Sequence, residues 1–131
     1  MNQDNGFEVI HCYTRAQALA DGVLIDITDF AKQYGFVVPV AITATLFNGY
    51  VKPSKDLEEV GQSLTGRLHD VLSLLIFHIK ALGKGKSGVE FSMDFLTDAT
   101  SNTLERVSIL AEMHGGDNAE PVITIMLPED Y

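Results

Sequence analysis

Leu68-His69-Asp70-Val71-Leu72-Ser73-Leu74-Leu75-Ile76-Phe77-His78-Ile79-Lys80-Ala81-Leu82 is followed, across Gly83-Lys84-Gly85-Lys86-Ser87-Gly88, by Val89-Glu90-Phe91-Ser92-Met93-Asp94-Phe95. In the first run apolar residues recur at three- and four-residue steps, and the pattern reaches back through Leu64, Val60 and Leu57. That spacing predicts one long amphipathic helix over 54–82 with a single apolar stripe. Gly61 and Gly66 lie inside it, each costing about 1 kcal/mol against alanine, so a bend or a close approach is expected there. In the second run Val89, Phe91, Met93 and Phe95 alternate with Glu90, Ser92 and Asp94, the period-two signature of a strand with one buried face. The glycine-lysine segment between them is a loop. It shares only composition with a phosphate loop, because it lacks the Walker spacing and leads into a strand where that motif opens a helix.

Toward the C-terminus, Val107, Ile109, Ala111 and Met113 alternate with Arg106, Ser108, Leu110 and Glu112. Pro121 to Leu127 reads as a last strand. Turn chemistry at 97–102 and 114–118 separates the three, which predicts an antiparallel meander. Toward the N-terminus, Phe7 to Tyr13 can alternate as a short strand. Thr14-Arg15-Ala16-Gln17 then fits a capping box opening a short helix that Asp21-Gly22 ends. Asp26 or Thr28 caps a second short helix stopped by Gly35. Val40 to Thr43 reads equally as a strand or a helix entry, and Ala44 to Val51 as a third short helix. The expected fold is a single α+β domain over 1–131: a three-stranded antiparallel meander packed on one long helix, with short N-terminal helices closing one end.

Of the 131 residues 46% are apolar and 21% charged, an ordinary globular balance. No apolar run approaches the ~20 residues of a membrane span. The polar, acid-bearing start, Met1 to Gly6, lacks the features of a secretory leader, so a cytoplasmic protein is expected. The formal charge of −9 is lopsided. Residues 87–131 hold nine acids and only Arg106, whereas 1–86 nearly balance. Such a field repels nucleic acid and anionic membrane and attracts basic partners.

Chemistry-bearing residues are few. Cys12 is the lone cysteine, and His11 beside it on a strand points to the other face, so the two do not form a nucleophile–base pair. His11, His69, Asp70, His78, His114 and Asp117 lack the paired i, i+4 histidine spacing of a zinc protease, and no metal or cofactor is expected. Glu90, Asp94, Glu105, Glu112 and Glu120 could supply a general acid/base pair. Their alternation is equally that of a solvated sheet face, with Glu90, Asp94 and Glu112 on one side together with Arg106. Arg15 and Asp26 are required by neither capping nor periodicity. They point to the N-terminal segment folding back on the 114–120 turn, so that Arg15 meets Asp117 or Glu120, as an anchor or as the wall of a recognition groove.

Ile10 to Asp26, with its Tyr13-Thr14-Arg15-Ala16-Gln17-Ala18 and Asp21-Gly22-Val23-Leu24 runs, resembles the N-terminal signature of an uncharacterised bacterial family borne on plasmids and phages. Glu120-Pro121-Val122-Ile123-Thr124-Ile125-Met126-Leu127-Pro128 is similar to its C-terminus, and Pro39 to Thr43 and Gly66 to Leu72 also fit. His114-Gly115-Gly116 departs from the Gly-Pro-Gly turn of that pattern. The resemblance implies a mobile-element accessory protein. The expected function is non-enzymatic binding or regulation through an acidic surface (Arg15, Asp26, Glu90, Asp94, Glu112, Asp117 and Glu120). Its target would be a basic host or element-encoded protein, without direct nucleic-acid or membrane binding and with homo-oligomers open through strand edges. The alternative is a small enzyme on a nucleotide or NAD-type substrate. Tyr13, Arg15 and Gly22-Val23-Leu24 distantly resemble the opening of ADP-ribosyltransferases, which implies Arg15 on a phosphate and Glu120 as the late carboxylate. The Ser-Thr-Ser strand of that family is missing.

Overall fold

In a computed structural model, which describes residues 13–82 and 87–131, the change of period in the sequence is a change of element. Helix α5 (Leu64–Leu82) precedes it and strand β3 (Gly88–Asp98) follows it. Before them come α1 (Arg15–Ala20), β1 (Leu24–Asp26), α2 (Thr28–Lys32), β2 (Val40–Thr43), α3 (Ala44–Leu46) and α4 (Lys55–Glu59). A π-helical turn, Phe47–Val51, extends α3. After β3 come β4 (Thr103–Gly115), β5 (Pro121–Met126) and a 3₁₀ turn, Pro128–Asp130. The expected strand at 7–13 falls mostly outside the described residues, as do His11 and Cys12.

β3, β4 and β5 form the expected antiparallel run, but they are part of a larger sheet. The five strands lie in the order β1-β2-β5-β4-β3, with β1 antiparallel to β2 and β2 parallel to β5. The three-stranded meander is thereby corrected to a mixed five-stranded sheet. β1 and β2 are only three and four residues long, too short for periodicity to register.

The expected single helix over 54–82 is two. Ser54 caps α4 by accepting from the Leu57 amide, and the chain then turns through Gly61 at φ +98°. The Gly61 amide donates to the Glu58 carbonyl and the Gln62 amide to that of Leu57, a Schellman ending that glycine alone adopts without strain. Ser63 restarts the chain, its hydroxyl accepting from the Gly66 amide.

α5 buries Leu68, Val71, Leu72 and Leu75 against Val89, Phe91, Met93 and Phe95 of β3, Val107, Ile109 and Ala111 of β4, and Ile123 and Ile125 of β5. Val40 and Ile42 of β2 and Ala31 of α2 complete the core. Arg67 enters it too, at 5% exposure. Its guanidinium donates to the carbonyls of Tyr50 (2.6 Å) and Leu96 (2.5 Å) and to Gln62 Oε1 (3.2 Å), and it lies over the Phe95 ring. Burial pushes its pKa down from the ordinary arginine value. This residue therefore clamps the π-helical turn, α5 and the end of β3 together. The expectation that all the short helices close one end of the sheet also needs correcting. α2 joins the helical layer, whereas α1 reaches Thr124 on the other face, which alternates with core-facing Ile123 and Ile125. Among the described residues no helix is long and apolar enough to cross a membrane.

Candidate binding groove

Thr14 and Gln17 form the expected capping box at α1. A second acceptor comes from far along the chain: Asp117, in the β4–β5 turn, takes the Arg15 amide at 2.7 Å and the Ala16 amide at 3.0 Å. A carboxylate at the first amides of a helix satisfies donors that lack intrahelical partners. The start of α1 thus does lie against this turn, but through its backbone. The Arg15 side chain goes elsewhere, Nη1 donating to Thr124 Oγ1 at 2.7 Å and Nη2 to the Ile123 carbonyl at 3.0 Å. Burial lowers the Arg15 pKa, and the charges of Asp117, Asp26 and Glu120 oppose that shift.

Thr124, 6% exposed, is shared with His114, whose Nε2 lies 2.8 Å from the hydroxyl. His114 Nδ1 is 3.0 Å from the Gly115 carbonyl, an acceptor only, so Nδ1 carries the proton. In the neutral ring Nε2 then accepts from Thr124, giving a chain from Arg15 through Thr124 and His114 to Gly115. Thr124 is not singled out by the sequence, and His114 is weighed there only among the candidate metal ligands. The available signal is a polar residue in the apolar run 122–127 and a histidine two residues after Glu112, on the same face of the alternating strand.

Around this chain opens a groove of about 820 Å³, lined by Tyr13, Arg15, Glu112, His114, Asp117 and Asp130 among others. Asp130 is committed to the fold, accepting from Thr43 Oγ1, Thr45 Oγ1 and the Leu127 amide. Glu112 takes no hydrogen bond from any described residue. The groove therefore carries three carboxylates against one cation already held by two acceptors.

The remaining candidate residues are distributed unevenly. Asp26 accepts from both the amide and the hydroxyl of Thr28, which hold its carboxyl below the usual range, and Arg15 adds a weaker pull. Glu120 folds onto its own turn, accepting from the Asn118 amide at 2.8 Å over Gly116, where a Cβ would sit 2.7 Å from its carboxyl carbon. It does not line the groove with Arg15, the arrangement a nucleotide-binding pair required. Glu90 and Asp94 stand on β3, on the same side of the sheet as Glu112 but toward its outer edge. Asp94 faces Arg106 directly across the β3–β4 pair and holds its guanidinium at 3.0 and 3.3 Å. Among the described residues no group of three His, Cys, Asp or Glu side chains could hold a metal ion.

A family model described as a family of unknown function (DUF6573) matches residues 1–131, and the chain belongs to that family. No curated protein and no solved structure matches it.

Proposed function

We propose that this member of the family is a non-enzymatic binding or regulatory protein, an accessory of a mobile element. It engages a basic protein partner through the sheet face turned away from α5. The observation that carries the reading is the state of the charges on that face. Glu90 and Glu112 are without a hydrogen-bond partner among the described residues, while Arg15 and Arg106 are each already bound to neighbours. Unneutralised carboxylates on a face whose arginines are already held by neighbours steer and orient a cationic surface.

The test is a charge reversal, Glu90→Lys with Asp94→Lys and Glu112→Lys. Wild type and variant are used as bait in host lysate, and the recovered partner is then purified and titrated against both. The expected result is a loss of about tenfold or more in affinity at low salt, with a wild-type affinity that falls as salt is raised. A partner bound equally well by the triple variant would overturn the proposal.

A further inference from the structure

β3 is an outer strand of the sheet, and its eleven residues make it far longer than β1 at the other edge. The Met113 amide bonds to the Ser87 carbonyl at 2.7 Å, which identifies the hydrogen-bonded pairs of the β3–β4 ladder. In an antiparallel pair such residues alternate, so the odd-numbered residues of β3 face β4. The amides and carbonyls of Glu90, Ser92 and Asp94 consequently point away from the sheet. At the far end Arg67 takes the outward carbonyl of Leu96, so among the described residues the open stretch is Glu90 to Asp94.

This stretch does not open onto flat solvent. Asp70 and Leu74 of α5, with Ser92, Asp94 and Arg106, line a cleft of about 350 Å³ along the edge. Phe77, one helical turn beyond Leu74, is 67% exposed. A strand added to β3 would alternate between two environments. One set of its side chains would lie beside Glu90 and Asp94, and the other would face Leu74 and Phe77.

We infer that the outer edge of β3 is a strand-addition site for an extended segment of the partner in which basic residues alternate with apolar ones. This rests on the proposed function and specifies how its partner binds. Charge complementarity selects the occupant: Glu90, Asp94 and Asp70 outweigh Arg106 in and beside the cleft. A second copy is disfavoured, because antiparallel self-pairing centred on Ser92 sets Glu90 opposite Asp94 twice. Charged edge residues are a recognised way of preventing self-pairing, and the same charges accept a cationic strand.

The test uses nine-residue peptides titrated into the full chain: alternating lysine and valine, alternating glutamate and valine, and the lysine-valine composition in two blocks. Amide exchange and chemical shifts are read residue by residue. The expected result is protection of the Glu90, Ser92 and Asp94 amides by the alternating lysine peptide only, binding at least tenfold tighter than the glutamate peptide. Ser92→Pro, which removes an amide outside the β3–β4 ladder, should abolish that protection, and Glu90→Lys should weaken binding without touching the ladder. Shifts confined to Glu112, His114 and Thr124 would overturn the edge site and leave the acidic-face reading standing. Protection at β3 that grows with protein concentration and needs no peptide would make a second copy the occupant and overturn the inference. No binding of either lysine peptide at millimolar concentration would overturn both.

Discussion

Arg67 and Asp26 show how differently two charged residues can serve one fold. Arg67 is buried without a carboxylate partner among the described residues, its charge spread over backbone carbonyls and Gln62. Arg67→Met keeps the apolar bulk but leaves the Tyr50 and Leu96 carbonyls without that donor. It should cost about 3 kcal/mol in urea unfolding, the usual scale for buried hydrogen bonds to a charged group. Arg67→Lys should lose less, because its ammonium still donates to one of the two carbonyls, yet it should remain below wild type, because it cannot span both. A loss under about 0.5 kcal/mol for Arg67→Met would show that the clamp contributes nothing beyond packing. For Asp26 the relevant quantity is pH. Its folded pKa is depressed, chiefly by the Thr28 side-chain and backbone hydrogen bonds. A depressed carboxyl contributes stability that is complete above the unfolded value, about 3.9, and is lost as pH falls through the lower folded value. The stability difference between wild type and Asp26→Asn should therefore be constant above about pH 5 and shrink below about pH 4. A difference that grows on acidification would contradict the assignment.

At the level of elements, the decisive contacts join segments distant in sequence. α1 is six residues long and is held at its start by Thr14 and by Asp117, about a hundred positions away. Asp117→Ala removes acceptors from the Arg15 and Ala16 amides, and a loss of about 1 kcal/mol is expected, the scale of an N-cap. Exchange of those two amides should accelerate while the amides of β4 and β5 keep their protection. If all three elements loosen together, Asp117 supports the sheet itself and not just the docking of α1. The same element scale explains the divided helix. The apolar repeat runs through Val60 and Leu64 without a phase break, so hydrophobic spacing carries no warning of the Gly61 turn. The warning lay in glycine itself, which the backbone uses at φ +98° where other residues are strained.

For the whole molecule, the lopsided charge is a surface property with little bearing on folding. Glu90, Asp94 and Glu112 stand on one side of the sheet, outside the apolar core, and the Asp94–Arg106 pair is solvent-exposed. Exposed ion pairs contribute little to stability. The triple lysine variant should accordingly melt within about 3 °C of wild type even as it loses its partner. A large drop in melting temperature with unaltered affinity would assign these residues to the fold.

The sequence by itself determined the α+β class, the long helix, the three C-terminal strands and the side of the sheet on which Glu90, Asp94 and Glu112 stand. Each follows from a local period, 3.6 or 2, sustained over enough residues to rise above chance. Only the tertiary structure decided that β2 lies beside β5 and that α1 crosses to the opposite face. It also decided that Arg15, Thr124 and His114 form one chain of hydrogen bonds. The first two outcomes depend on pairings across some eighty to a hundred residues, between a strand of four residues and one of six and between single polar side chains. No periodicity reports such contacts, because what selects them is the mutual satisfaction of buried donors and acceptors once the core has closed.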